Sequence, residues 1–122
     1  MKESEIIRSA EIPENFIAEG CFIRELFKST DGLVSFADAR LSPGQRTENH
    51  FLNADEYYYI RSGTADMYLN GVLTGSVRSG DLVRIKRHEA QYIHNTGPEE
   101  LIFLCVCLPA FQPEIYNAID SR

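Results

Sequence analysis

Short apolar segments separated by turn residues run along most of the chain. They are Phe22 to Phe27, Leu33 to Leu41, Glu56 to Arg61, Ala65 to Leu69, Leu82 to Ile85 and Leu101 to Leu108. Turn sequences lie between them, and Asn70-Gly71 is the strongest hairpin signal. Short strands joined by tight turns predict an all-β barrel or sandwich.

Alternation within one segment indicates how its strand is oriented. Ala37, Ala39 and Leu41 share one face, while Asp38 and Arg40 lie on the other, because successive side chains of a strand point to opposite faces. One face is therefore expected to pack inward. The other is expected to meet solvent or a partner subunit.

Size and charge narrow the class of protein. The chain has 122 residues, 43% of them hydrophobic, which suits one domain with a sizeable core. Its net charge of -6 gives no electrostatic attraction to a nucleic acid or an anionic membrane, so we expect neither as a partner. The longest apolar run, Leu101 to Ala110, is about half the roughly 20 residues of a membrane helix.

The amino-terminal residues 1–16 lack the apolar stretch of a signal peptide. We therefore expect a cytoplasmic protein. Its three cysteines, Cys21, Cys105 and Cys107, are expected to be reduced. Cys105 and Cys107 lie on the same face of one segment and cannot bridge each other.

A regular spacing of glycine, histidine and glutamate occupies residues 44–63. Five residues separate Gly44 from His50, five separate His50 from Glu56, and six separate Glu56 from Gly63. This spacing resembles the first signature of the cupin family, in which two histidines, a glutamate and two glycines recur at these intervals. Leu52 stands where the family has its second histidine.

Residues 80–95 resemble the second cupin signature less closely. Gly80 and Asn95 are in place, but Lys86, His88 and Gln91 replace the proline, the second glycine and the histidine of the family. The two signatures follow in order, joined by β-type sequence. The resemblance implies a double-stranded β-helix barrel with its site between the two signatures.

The resemblance also implies where a metal would bind. In this family the histidines and the glutamate of the two signatures hold one divalent metal inside the barrel. The resemblance places His50 and Glu56 at two of these ligand positions. At the other two, this chain has Leu52, which cannot bind a metal, and Gln91, whose amide is a weaker ligand. His50, Glu56 and Gln91 therefore form a weakened site for iron, manganese, nickel or zinc. A barrel without metal is the other interpretation.

Without a metal, four side chains are expected to converge: His50, Glu56, Tyr58 and Gln91. Such a group supplies a base near neutral pH, a carboxyl whose pKa burial would raise, a phenol and an amide. These groups could enolise a carbonyl compound or move a proton between adjacent carbons. They are the candidate catalytic residues.

Other polar residues are expected outside the cavity. His94 should face away from Gln91, three residues earlier on the same strand, and His88 should be exposed at the mouth of the barrel. We expect solvated or ion-paired positions for the strand and loop arginines, which are Arg24, Arg40, Arg46, Arg61, Arg84 and Arg87.

The sequence leaves three functions open. The favoured one is a small-molecule isomerase, cyclase or decarboxylase, similar to small bacterial cupins. A non-catalytic module that binds a small metabolite or sugar is the second, and a metal-dependent dioxygenase is the third. A fold alone does not choose among them.

The resemblance to dimeric small cupins also divides the chain. It implies that residues 1–20 contact a partner's sheet in a homodimer, which would cover an exposed sheet edge. Residues 21–112 would form the barrel. Residues 113–122 would form a tail or a short helix that begins at Pro113.

Overall fold

The computed structural model describes residues 4–119, which form two antiparallel sheets around one main core. The strands are β1 (Asn15–Phe16), β2 (Phe22–Lys28), β3 (Ser35–Leu41), β4 (His50–Leu52), β5 (Asp55–Ser62), β6 (Thr64–Leu69), β7 (Val72–Arg78), β8 (Leu82–Ile85), β9 (Gln91–His94), β10 (Leu101–Leu108) and β11 (Tyr116–Ala118). One sheet has the order β1-β2-β3-β10-β5-β8, and the other has the order β11-β4-β9-β6-β7. The predicted all-β fold is confirmed.

The six apolar segments of the sequence all coincide with strands. The sequence gives weaker signals for the strands that complete the second sheet. Seven residues of β7 carry mostly exposed side chains around Gly75, so no apolar pattern marks that strand. β4 and β9 have only three and four residues, which is too short for a clear alternation.

The core lies between the sheets and centres on the pairing of β5 with β10. Tyr58 is opposite Cys105 in this pairing, and Glu56 is opposite Cys107. The rings of Tyr58 and Phe103 pack at 4.7 Å between centroids, and both residues are about 1% exposed. The same strands that form the core therefore also carry polar side chains into the interior.

Two turns require glycine for physical reasons. Asn70 and Gly71 both have positive φ, at 53° and 78°, which the tight hairpin between β6 and β7 demands. At Gly63, φ is 91° and an added Cβ would lie 2.7 Å from the carbonyl oxygen of Glu100. Only glycine fits there, which explains the last glycine of the first signature.

The helix at the end of the chain is shorter than residues 113–122, the range predicted for a tail or short helix. A 3-10 helix begins at Pro113 as expected, but it spans only Pro113–Ile115. The next residues form β11, which pairs with β4 and so lies beside His50. Residues 120–122 of the predicted range lie outside the described residues.

The amino-terminal segment returns to its own chain. β1 pairs with β2, and Arg40 binds Glu14 through two hydrogen bonds of 2.8 and 2.9 Å. The predicted contact of residues 1–20 with a partner stays a prediction, and residues 1–3 of that range lie outside the described residues. Within residues 4–119, no helix has the length and apolar character that crossing a membrane requires.

Candidate functional site

A cavity of about 220 Å³ is lined by residues of several strands, among them β3, β5 and β10. Most of its lining is apolar and includes Ile17, Cys21, Ile23, Phe36, Ala39, Leu52, Phe103, Cys105, Cys107 and Phe111. Its polar lining consists of Glu19, Glu25, Ser35, His50, Glu56 and Tyr58. Ligand pockets commonly combine an apolar wall with a few convergent polar groups.

His50 lies in β4 and is 1% exposed. Its Nδ1 lies 2.6 Å from the carbonyl oxygen of Glu48, and because a carbonyl can only accept, Nδ1 donates this bond. The other nitrogen, Nε2, lies 3.8 Å from Glu19 Oε2. The ring also stacks on Tyr116 of β11, with centroids 4.7 Å apart. His50 is thus held from two sides, with Nε2 available for chemistry.

Tyr116 is fixed in turn by its hydroxyl, which donates to Glu48 Oε1 at 2.6 Å. Burial and this carboxylate keep the pKa of Tyr116 well above its ordinary value. The hydroxyl therefore remains a donor. Glu48 supports the site twice, through its main-chain oxygen to His50 and through its side chain to Tyr116.

Glu56 lies in β5 with 7% of its surface exposed. Cys107 Sγ donates to its Oε2 at 3.5 Å, whereas Oε1 has no hydrogen-bond partner among residues 4–119. Burial first, and then the carboxyl of Glu19, raise the pKa of Glu56 to about 8, against a smaller opposite effect of Gln91 and Cys107. Glu56 therefore holds its proton to a higher pH than an ordinary glutamate does.

Glu19 is a site residue that the sequence interpretation missed. It precedes β2, and its main-chain oxygen accepts a 2.8 Å hydrogen bond from the amide of Glu48. Burial raises the pKa of Glu19, although His50 opposes this rise. No motif includes Glu19, since a loop outside both signatures brings it to the cavity. Its place directly before Gly20 is the one weak signal in the sequence.

Tyr58 and Gln91 form a buried pair. The Tyr58 hydroxyl donates to Gln91 Oε1 at 2.6 Å, and burial keeps the pKa of Tyr58 well above its ordinary value. Gln91 is also the register partner of His50 between β9 and β4. The four predicted residues therefore lie together, but Gln91 is not part of the cavity lining, unlike His50, Glu56 and Tyr58.

The remaining predicted positions lie as the sequence indicates. His88 is exposed and has a positive φ of 72°. His94 is half-buried and forms an isolated main-chain β-bridge with Arg46, and it is not part of the cavity lining. None of the six arginines named above lines the cavity. Arg40 is paired with Glu14 and Glu100, and Arg61 with Asp38.

The donors of the cavity do not fit a firmly held divalent metal. Leu52 lines the cavity at the position of the family's second histidine, and leucine cannot ligate. Gln91 Oε1 already accepts the bond from Tyr58. Among residues 4–119, no group of three or more His, Cys, Asp and Glu side chains is arranged to hold a metal ion. These contacts argue against a firmly held metal, and the weakened metal site itself stays a prediction.

Comparison with known proteins settles the family. A family model for the cupin domain matches residues 37–107, which is more than half of the chain. The chain is a cupin. Solved structures of double-stranded β-helix and RmlC-like proteins are similar to it, in agreement with the two sheets described above.

Three similar structures illustrate the range of this fold. A predicted oxalate decarboxylase from Thermotoga maritima is 26% identical to this cupin, with a TM-score of 0.78. The match covers 86% of this cupin and 99% of that chain. The polyketide cyclase RemF from Streptomyces resistomycificus is 19% identical, with a TM-score of 0.81, and the match covers 98% of this cupin and 88% of RemF.

A Streptomyces Pac13 variant with uridine is 16% identical, with a TM-score of 0.80 and coverage of 99% and 93%. Pac13 is a nucleoside dehydratase. At under 25% identity, RemF and Pac13 show the fold alone. No curated protein matches the sequence of this cupin significantly.

Proposed function

We propose that this cupin is a small-molecule enzyme that moves protons on its substrate, of the isomerase, cyclase or lyase type. The observation that carries the proposal is the convergence of Glu19, His50 and Glu56 on one largely apolar cavity. In such a cavity, acid and base groups act on a substrate shielded from bulk water.

His50 is the base in this proposal. Its Nδ1 is held by a main-chain oxygen, so its Nε2 can take a proton from a carbon next to a carbonyl group. Glu56 is the acid, because burial raises the pKa of its carboxyl to about 8. It gives its proton to the carbonyl oxygen, which forms an enol, or to a hydroxyl that leaves as water. An isomerisation is completed when His50 returns its proton to a neighbouring carbon and Glu56 takes back a proton from a hydroxyl of the enol. After a dehydration, transfer of the proton from His50 to Glu56 restores both groups.

Charge favours some substrates over others. Among residues 4–119, the cavity lining includes the carboxyl groups of Glu19, Glu25 and Glu56 but no lysine or arginine. Of these lining residues, His50 alone could offer a positive charge to an anionic substrate. The proposal therefore favours isomerisation, cyclisation or dehydration over decarboxylation of a free carboxylate. The polyketide cyclase and the nucleoside dehydratase among the similar structures show that this fold accommodates such proteins.

A non-catalytic binding module is the second candidate. It is favoured by Leu52 and Gln91, which replace two ligand positions of the family with a packing residue and a hydrogen-bonded amide. A dioxygenase is the third, since it would need a redox metal that this set of donors would have to hold firmly.

Solvent deuterium exchange tests the proposal. The tag-free protein is incubated in D₂O with a panel of small neutral carbonyl and hydroxy-carbonyl compounds, and NMR detects incorporation. We expect exchange into at least one compound, and His50→Gln should slow it by about 100-fold or more. The exposed His88 provides the control, because His88→Gln should leave the rate unchanged.

The proton-transfer proposal is overturned if no member of the panel exchanges while the cavity binds ligands. In that case, the protein would be a binding module. Exchange that is as fast in His50→Gln and His88→Gln as in the parent would also overturn the proposal, because His50 would then not be the base.

Elemental analysis separates the dioxygenase from both other candidates. We predict less than about one tenth of an equivalent of iron, manganese, nickel or zinc in the tag-free protein, because its donors are reduced to His50, Glu56 and a hydrogen-bonded amide. Leu52→His, which restores a family ligand beside the cavity, should raise metal content. Near-stoichiometric metal in the parent would contradict this prediction.

A further inference from the structure

Small side chains on β3 leave room for the cavity. Ser35, Ala37 and Ala39 lie on one face of this strand, and all three line the cavity. The register partners of Ala39 are larger, with Ile23 on β2 and Phe103 on β10. An interior packs densely wherever its side chains can fill it. The open space therefore lies above the alanines, between these larger side chains.

Strand order places a polar group at some distance from the alanines. β10 lies between β3 and β5, and Cys107 of β10 pairs with Ser35 on one side and with Glu56 on the other. Because neighbouring strands are roughly 4.8 Å apart, about 10 Å separates the backbone of β3 from that of β5. The cavity thus runs from methyl groups at one end to a carboxyl group at the other.

The polar end of the cavity has an atom that lacks a partner. Glu56 Oε1 is buried and has no hydrogen-bond partner among the residues that the structure describes, and only 7% of the residue is exposed. Buried polar atoms of native proteins are nearly always hydrogen-bonded. A hydroxyl group both donates and accepts, so it can pair with this carboxyl group in either protonation state. A bound alcohol would therefore satisfy the unpaired atom.

The apolar end of the cavity suits one ring. Phe36, Phe103 and Phe111 line the cavity, and aromatic rings pack favourably against one another in offset or edge-to-face arrangements. An apolar cavity of roughly 150 Å³ can hold benzene, whereas pockets for drug-sized ligands begin at about 300 Å³. The volume of this cavity, about 220 Å³, lies between the two. One six-membered ring with a short polar substituent fits this range.

We propose that this cavity selects a neutral alcohol with a single aromatic ring, with the ring over Ala37 and Ala39 and the hydroxyl group at Glu56. The two alanines determine specificity, because larger side chains at their positions would occupy the place of the ring. This inference rests on the proposed function, because it names the substrate class of the same site.

Three neutral probes test the inference: benzyl alcohol, toluene and para-tert-butylbenzyl alcohol. Each is titrated into the full-length, tag-free protein, and amide NMR shifts around the cavity report binding. We expect benzyl alcohol to bind at least about fivefold more tightly than toluene, which lacks the hydroxyl group. The tert-butyl compound should bind at least about tenfold more weakly than benzyl alcohol, because the cavity has no room for its added group.

Substitution on β3 identifies the wall that holds the ring. Ala39→Leu should weaken benzyl alcohol by about tenfold or more, because the longer side chain fills the space of the ring. Ala10→Leu is the matched control, since Ala10 is exposed and does not line the cavity, and it should change the affinity by less than about twofold. Circular dichroism checks that both variants fold. Should Ala39→Leu not fold, Ala37→Val tests the same wall.

The other outcomes are distinct. Unchanged binding of benzyl alcohol in the folded β3 variant, or equal or tighter binding of toluene or the tert-butyl compound, overturns the inference and leaves the proton-transfer proposal standing. Failure of benzyl alcohol to bind at about 20 mM also overturns it, because a site with weaker affinity than this has no useful selectivity. Selective binding of benzyl alcohol, with no deuterium exchange into any hydroxy or carbonyl compound, would instead overturn the proposed function alone.

Discussion

Single residues decide what this cupin cavity can do. Leu52 packs with Ala54 and Cys107 in a small apolar cluster, and Gln91 accepts the hydroxyl of Tyr58. Two positions that bind metal in the family thus serve packing and hydrogen bonding in this chain. Burial raises the pKa of the Glu56 carboxyl to about 8.

Glu56 should make the protein less stable as pH rises. Its pKa is about 8 in the folded protein and near 4.5 ordinarily, so between these values the folded state holds a proton that the unfolded state has lost. The free energy of unfolding therefore falls with pH across this window, by about 1.4 kcal/mol per pH unit from this group. Glu56→Gln, which cannot ionise, should remove that part of the slope.

Urea denaturation of parent and variant between about pH 5 and pH 9 measures this slope. The two curves should diverge with rising pH, and Glu56→Gln should be the more stable protein above about pH 7. The control is Glu25→Gln, whose side chain is exposed, and it should follow the parent. Parallel curves for Glu56→Gln and the parent would show that Glu56 ionises normally.

At the scale of elements, the loop between β1 and β2 delivers Glu19 to the cavity. Glu14, just before β1, accepts two hydrogen bonds from Arg40. This pair anchors the segment that leads into the loop, and the main-chain amide of Glu48 donates a hydrogen bond to the main-chain oxygen of Glu19. The position of Glu19 therefore depends on a contact distant from the chemistry.

Breaking this contact should loosen the loop. In Glu14→Gln the bidentate ion pair is lost, so we expect hydrogen exchange to become several-fold faster at two amides that depend on the loop. They are those of Ile17, bonded to Cys21, and Glu48, bonded to Glu19. Glu11→Gln, an exposed change in the same segment, should leave both rates unaltered. Unchanged exchange at both amides in Glu14→Gln would refute this role for Arg40.

The burial of each element explains how much of the fold could be predicted from sequence. Apolar segments and turn glycines located β2, β3, β5, β6, β8 and β10, because each buries one face against the core. β7 was not predicted because its side chains are mostly exposed. β11 was not predicted because it pairs with β4, more than sixty positions away in the sequence. At the site, spacing identified His50 and Glu56, whereas only the path of the chain in space identifies Glu19.

At the scale of the whole molecule, the first sheet has two edges with exposed apolar side chains. β1 carries Phe16, which is 65% exposed, and β8 carries Leu82, which is 64% exposed. Exposed edges of this kind invite pairing with another chain. The predicted homodimer uses the amino-terminal edge, where the segment before β1 also presents Ile6 at 78% exposure.

Substitution at the two edges tests which of them is covered. Phe16→Glu should convert a dimer into monomers in analytical ultracentrifugation, because it places a charge in an apolar contact. Leu82→Glu, the matched change at the opposite edge, should leave the dimer intact. A monomeric parent, or a dimer broken only by Leu82→Glu, would contradict the amino-terminal contact.

The protonation of Glu56 tests the central claim of an acid–base cavity most directly. In carbon-13 NMR of the tag-free protein, the Glu56 carboxyl is identified as the signal that disappears in Glu56→Gln. We predict that it titrates with a midpoint near pH 8 and is a carboxylic acid at pH 7. A midpoint near the ordinary value of 4.5 would leave the cavity without its acid and contradict the claim.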